Sequence, residues 1–136
     1  MIRLIVIFCS LFISACSIEA TDDEMIANLK ENRDIFQKMV RPNSDCNISQ
    51  EPGPICRKLM KQANIFSVRS EPFLSGAVAL DYNNFETENK GYLYSPSGNV
   101  EPLYENLDQK PQDLGHYQKG YKKISNEWYI FYEYLN

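Results

Sequence analysis

Apolar residues along this chain recur every three or four positions as far as Ala63, and every second position from about Ile65 onward. A helix repeats about every 3.6 residues and a strand every second one, so the switch divides the chain into a helical part and a β part. Helices followed by a run of strands, rather than alternating with them, argue for an α+β fold. The expectation is two N-terminal helices packed on one face of an antiparallel sheet of about four to five strands.

The helical part carries its own start and stop signals. Thr21-Asp22-Asp23-Glu24 has the spacing of a capping box, with acidic residues where the helix dipole favours them. Met25, Ile26, Leu29, Phe36, Met39 and Val40 then make one apolar stripe, and Pro42 ends the helix because the residue before a proline is pushed out of the helical region. Asn43 to Pro54 reads as a loop. Pro54 suits the first turn of a second helix, whose apolar face is Ile55, Leu59, Met60 and Ala63 and which ends near Asn64.

In the β part, Leu74, Val78, Leu80 and Tyr82 alternate with Ser75, Ala77, Ala79 and Asp81, the pattern of a half-buried strand. Lys90 to Tyr94 reads as a second strand, and Ser95 to Asn99 as a turn by composition. Residues 100–115 contain Pro102 and Pro111 and are expected to hold one short helical turn at Leu103 to Leu107. His116 to Ile124 and Trp128 to Leu135 flank Ser125-Asn126-Glu127, which reads as a hairpin with a three-residue loop.

Ahead of all this, Arg3 precedes an apolar run from Leu4 to Ile13, the charged and hydrophobic regions of a secretory signal. A membrane-spanning helix needs roughly 20 apolar residues. The run stops well short of that, and Glu19, Asp22, Asp23 and Glu24 follow it.

Ile13-Ser14-Ala15-Cys16 resembles the lipobox of bacterial lipoproteins: an aliphatic residue, two small ones and a cysteine. The resemblance implies that the Cys16 thiol receives a diacylglyceryl group, that the chain is cut before it, and that the new amine is acylated. Two or three acyl chains make such an anchor effectively permanent, where a single chain binds only marginally. Ser17 in the next position leans toward outer-membrane sorting rather than inner-membrane retention. On this reading residues 1–15 are a cleaved signal, residues 16–20 a lipidated tether, and residues 21–136 a single α+β domain, long enough for one core and not two.

The same reading disposes of two of the four cysteines. Cys9 leaves with the signal and Cys16 is lipidated, so Cys46 and Cys56 remain as a pair in an oxidising compartment, where a disulfide is expected. Zinc would need two more donors near them. Asn47-Ile48-Ser49 matches a glycosylation sequon that has no meaning in a bacterial lipoprotein.

Chemistry-bearing patterns are sparse. Loss of Arg3 makes the chain one unit more negative than the −4 of the full sequence, and an acidic surface without a Lys/Arg stripe argues against nucleic acid as a partner. His116 is the sole histidine and the only candidate base for a Ser-His or Cys-His arrangement, with no nucleophile elbow to accompany it. Glu86/Glu88, Glu101/Glu105 and Asp108/Asp113 are carboxylate pairs that read as solvated loop charge. No phosphate cradle, metal motif or cofactor motif is present. The strands are rich in tyrosine. Tyr92, Tyr94, Tyr117 and Tyr121, together with His116, form the candidate partner-binding set, although tyrosine on a strand more often packs its ring and leaves its hydroxyl wet.

"KGYLYS" (Lys90 to Ser95), "EPLYENLD" (Glu101 to Asp108) and "YKKISNEWYIFYEY" (Tyr121 to Tyr134), with the helix "NLKENRDIFQKMV" (Asn28 to Val40), resemble a group of small proteobacterial lipoproteins. That resemblance implies architecture and cellular address. It implies no activity and does not extend to the Cys46/Cys56 pair. The expected function is therefore a non-enzymatic envelope lipoprotein whose domain faces the periplasm, in a binding or structural role. The alternative is a periplasmic immunity protein that neutralises an antibacterial toxin, and a small hydrolase using His116 is the weakest reading. Cys16→Ser is expected to abolish acyl labelling and to release the chain from the membrane fraction, as fractionation with metabolic lipid labelling would measure.

Overall fold

A computed structural model describes residues 20–46, 51–84 and 87–135. The signal segment, Cys16 and the tether as far as residue 19 lie outside the described residues. Among the described residues the chain forms three helices, α1 (Asp22–Glu31), α2 (Arg33–Val40) and α3 (Pro54–Gln62). Five strands follow: β1 (Ser67–Ser70), β2 (Val78–Asn84), β3 (Glu88–Tyr94), β4 (Lys119–Lys123) and β5 (Trp128–Tyr134). Every strand pair is antiparallel, and the order across the sheet is β1-β2-β3-β5-β4. The fold is α+β. No described helix is long and apolar enough to cross a membrane.

The capping box forms as its spacing requires. Thr21 Oγ1 accepts from the Glu24 amide at 3.2 Å, and Glu24 Oε2 accepts from the Thr21 amide at 3.0 Å. The single helix expected from Thr21 to Pro42 is instead two, α1 and α2, separated at Asn32. There the backbone turns to φ −112° and ψ 27°, while the Asn32 side-chain amide donates to both the Asn28 carbonyl and the Asn28 side chain. A short polar side chain bonding back to the preceding turn competes with the helical backbone, which accounts for the break. Pro54 opens α3, and Asn64, at φ 55°, takes the left-handed position just beyond its end.

A disulfide joins Cys46 to Cys56 with their Cα atoms 5.0 Å apart, tying the segment after α2 to the first turn of α3. Closing a loop of this length contributes on the order of 2–3 kcal/mol. Both cysteines are buried in the main core.

That core gathers Met25 and Leu29 of α1, Phe36, Met39 and Val40 of α2, and Cys56 and Met60 of α3. With them lie the alternate strand residues Val78, Leu80, Tyr92, Trp128, Ile130 and Tyr132. The Phe36 ring stands edge-on to Tyr92, centroids 4.8 Å apart, and to Trp128 at 5.8 Å. A second cluster, with no described helix residue in it, collects Ala77, Ala79, Leu93, Val100, Tyr121, Tyr129 and Phe131. Register places Ala79, Leu93 and Tyr129 in one row across the sheet, and Asp81, Gly91, Phe131 and Tyr121 in the next. Successive strand residues point to opposite faces, so the two clusters are the two sides of one sheet.

Several sequence expectations are corrected here. The strand expected from Leu74 begins at Val78, because Gly76 at φ 71° closes a turn over 71–77 that makes β1 and β2 a hairpin. β1 had no period-2 signal in its sequence. No helical turn forms at Leu103 to Leu107. The backbone there is engaged elsewhere: the Tyr104 amide donates to Tyr121 O at 2.7 Å and the Tyr121 amide to Pro102 O at 3.0 Å, a short parallel bridge along the β4 edge. The Glu101–Pro102 peptide is cis. Gly120 leaves room for the Tyr104 ring, whose nearest atom lies 2.6 Å from where a Cβ would stand. The strand expected from His116 starts only at Lys119, since Tyr117 sits at φ 60°.

A buried ion pair joins the two halves. Lys90 of β3 is buried with its side chain 3% exposed, and its Nζ lies 2.8 Å from Oδ1 of Asp22 in α1, itself 2% exposed. Lys122 Nζ donates to Asp22 Oδ2 at 3.1 Å, as does the Leu107 amide at 2.7 Å. In return the Asp22 amide donates to Asp108 Oδ1 at 2.6 Å, and Lys90 donates to the Ala20 carbonyl at 3.2 Å. Burial by itself would raise the Asp22 carboxyl, but the hydrogen bonds from Lys90 and the Leu107 amide and the Lys90 charge outweigh it, leaving it below its ordinary 3.8. A carboxylate so depressed adds stability that is complete above its unfolded pKa and is lost as pH falls through the folded value. Asp22→Asn leaves Lys90 buried beside a neutral amide and is expected to cost about 3–5 kcal/mol at neutral pH. Denaturant titration at stepped pH should show that deficit shrinking below pH 3.8, where the wild-type carboxyl also takes up its proton.

Candidate functional site

The side of the sheet that bears the second cluster also bears a cleft of about 500 Å³. The layer beneath its floor is built by register. Gly91 lies beside Asp81 on one hand and Phe131 on the other. A Cβ on Gly91 would stand 2.2 Å from the Leu80 carbonyl oxygen and 2.8 Å from the Phe131 ring. Glycine is what lets that ring lie across β3.

Two cations bracket the Phe131 ring. The Arg69 guanidinium is 5.5 Å from its centroid and Lys119 Nζ is 5.8 Å, both within cation–π reach. Arg69 Nε bonds Asp81 Oδ2 at 3.1 Å, and its terminal nitrogens lie 3.5 Å from Glu71 and 3.9 Å from Glu133. Ser67 and Asn89 also donate to Asp81. Lys119 is paired with Glu71 at 2.6 Å. Burial would lower the Arg69 pKa, but Asp81, Glu71 and Glu133 more than offset it and leave it raised. Burial and then the charges of Glu71 and Glu133 push the Tyr121 hydroxyl up to about 12, so it keeps its proton at neutral pH.

Above this floor the walls are largely apolar, and Pro72, Phe73 and Tyr117 among them are exposed. Pro72, Phe73 and Leu74 come from the β1–β2 turn, Val100 and Glu101 from the segment after β3, and Tyr117 from just before β4. Phe73 is 91% exposed and Tyr117 77% exposed, and Leu103, 54% exposed, lies two residues beyond Glu101. A bulky residue at φ 60° occupies a sparsely populated region that costs of order 1–3 kcal/mol, and the chain holds Tyr117 there at the cleft mouth.

The candidate residues read from the sequence separate into three groups. Tyr117 and Tyr121 meet in the cleft. His116 is exposed nearby, its ring 4.9 Å from that of Tyr134, and its side chain makes no hydrogen bond or ion pair among the described residues. Tyr92 is corrected to a core residue: it is fully buried, donates its hydroxyl to Met25 O at 2.8 Å and accepts from Asn28 at 3.1 Å. Tyr94 is half-buried against Trp128 with centroids 5.2 Å apart, packed on the main core cluster and away from the cleft. Arg69, Glu71, Phe73, Lys119 and Glu133 were not singled out from sequence. Single charged residues on short strands carry no pattern until register brings them together.

No cluster of three or more His, Cys, Asp or Glu suited to a metal occurs among the described residues. Comparison with protein-family models, curated proteins and solved structures found no match. Gly91→Ala would drive a methyl into the Leu80 carbonyl and the Phe131 ring, so a loss of roughly 3 kcal/mol in equilibrium denaturation is expected. Amide-exchange protection should fall first around Arg69 and Lys119 and last in α3.

Proposed function

We propose that this chain is a non-enzymatic protein of the bacterial envelope, held by an acylated Cys16, whose helices pack on one face of the sheet and whose opposite face binds a protein partner in the periplasm. The observation that carries this reading is the cleft, a charged floor ringed by exposed Phe73 and Tyr117 on the side whose cluster contains no described helix residue. Large aromatics left in water around a concave, polar-floored surface are typical of interaction sites. The lipobox-like Ile13-Ser14-Ala15-Cys16 supports the address, and Ser17 supports the outer membrane over the inner. His116 lacks an orienting group within hydrogen-bond reach among the described residues, which favours binding over hydrolysis.

A second reading, an immunity protein against an antibacterial toxin, is favoured by the excess of carboxylates around the cleft, since acidic inhibitors complement basic clefts. Siblings armed with the cognate toxin would kill a deletion strain under that reading and spare it under the first. For the binding face itself, a photo-crosslinking residue at Phe73 or Tyr117 in living cells is expected to trap a discrete adduct. The same residue at exposed Ile55 of α3 should trap none. Equal adducts from Ile55, or none from the cleft positions, would remove the proposal.

A further inference from the structure

We infer that the cleft takes a basic side chain, arginine or lysine, presented by the partner protein, with Glu101 and Glu133 as its counter-charges and Phe73 and Tyr117 as its walls. The inference rests on the reading of this face as the partner-binding one.

The charge inventory points one way. Three carboxylates, those of Glu71, Glu101 and Glu133, line the cleft beside two cations, Arg69 and Lys119, with Asp81 buried beneath and bonded to Arg69. Both cations are already engaged. Arg69 is forked onto Asp81 and reaches Glu71, and Lys119 is on Glu71. The carboxylates are not equally engaged. Glu133 has only the 3.9 Å approach of Arg69, and Glu101 has no ion-pair or hydrogen-bond partner among the described residues. An incoming anion would have to displace a paired carboxylate and face the other two. An incoming cation meets two underused ones.

Shape and surface agree with charge. A lysine or arginine buries its aliphatic stem while its head seeks polar company, and Pro72, Leu74 and Val100 supply an apolar channel beside the carboxylates. Exposed aromatic faces attract cations most strongly when partly desolvated, which describes Phe73 and Tyr117 once a partner covers them. The cleft volume of about 500 Å³ falls within the roughly 300–1,000 Å³ of sites that enclose a ligand, leaving room for the side chain and its flanking backbone.

The test titrates the full chain, labelled with ¹⁵N, with three acetylated and amidated tripeptides: Ala-Arg-Ala, Ala-Gln-Ala and Ala-Glu-Ala. The arginine peptide alone is expected to give saturable amide shifts at Phe73, Tyr117 and Glu133, weakening as salt is raised. Affinity should fall by about threefold in Glu101→Gln and about tenfold in Glu101→Gln/Glu133→Gln. Glu101 is exposed, so its single variant keeps the fold and makes its result readable. No saturable shift in the cleft, an equal response to the glutamine peptide, or a stronger response to the glutamate peptide would each overturn the inference. Crosslinking separates it from the reading beneath it. Adducts from Phe73 that persist at full yield in the double glutamine variant refute the basic side chain and leave the binding face standing. Absence of adducts in the unmodified chain refutes the face itself.

Discussion

A lysine buried in the middle of a sheet has to meet a carboxylate, and here the carboxylate comes from the first turn of the first helix. Asp22 and Lys90 sit almost without solvent, 2.8 Å apart, and each has further obligations: Lys122 and the Leu107 amide on the aspartate, the Ala20 carbonyl on the lysine. Removing one member of such a group leaves the other charge stranded in a medium that cannot solvate it. The apolar core would accept the helices in several sliding positions, because hydrophobic contact has no direction. The ion pair accepts one, since it links α1, β3, β4 and the segment around Leu107 at a single point.

With the main core so committed, the other side of the sheet is free to differ. Its cluster is small and built around Tyr129, Phe131 and Leu93. The charges on it are arranged by strand register: Arg69 of β1 reaches Asp81 of β2 and Glu133 of β5, and Lys119 of β4 reaches back to Glu71. Gly91 is the hinge of that arrangement, because a side chain there would lift Phe131 off β3 and take both cations with it. The same sheet thus carries a packed, helix-rich core cluster on one side and a charged, aromatic-rimmed cleft on the other.

Local signals were legible in the sequence and long-range ones were not. Thr21 with Glu24, Pro42, Pro54 and the apolar stripe from Met25 to Val40 each act within a few residues, so their pattern survives in one dimension. The final hairpin is equally local, and the Cys46–Cys56 bridge followed from a short count of cysteines. The break at Asn32 leaves no mark in the apolar stripe, because its helix-breaking bond depends on which way a short amide turns. β1 was invisible because four residues, Ser67-Val68-Arg69-Ser70, alternate too weakly to stand out. Tyr92 and Tyr121 look alike in sequence, two tyrosines on strands. Only the pairing of β5 with both β3 and β4 sends one to a helix carbonyl and the other to the cleft. The Leu103 to Leu107 stretch has helical composition, but its amides are claimed by Tyr121 and Asp22 from across the fold.

The hydrogen bond from Lys90 to the Ala20 carbonyl has a mechanical meaning. Ala20, the first described residue, is buried, and its carbonyl is held by a residue rooted in the central strand β3. Tension arriving along the chain from its N-terminal side therefore loads first the Lys90 ammonium and then the Asp22 carboxylate. It does not begin by peeling the open end of a helix. A pull at Ala20 is thus carried into the central strand of the sheet, on the face opposite the cleft.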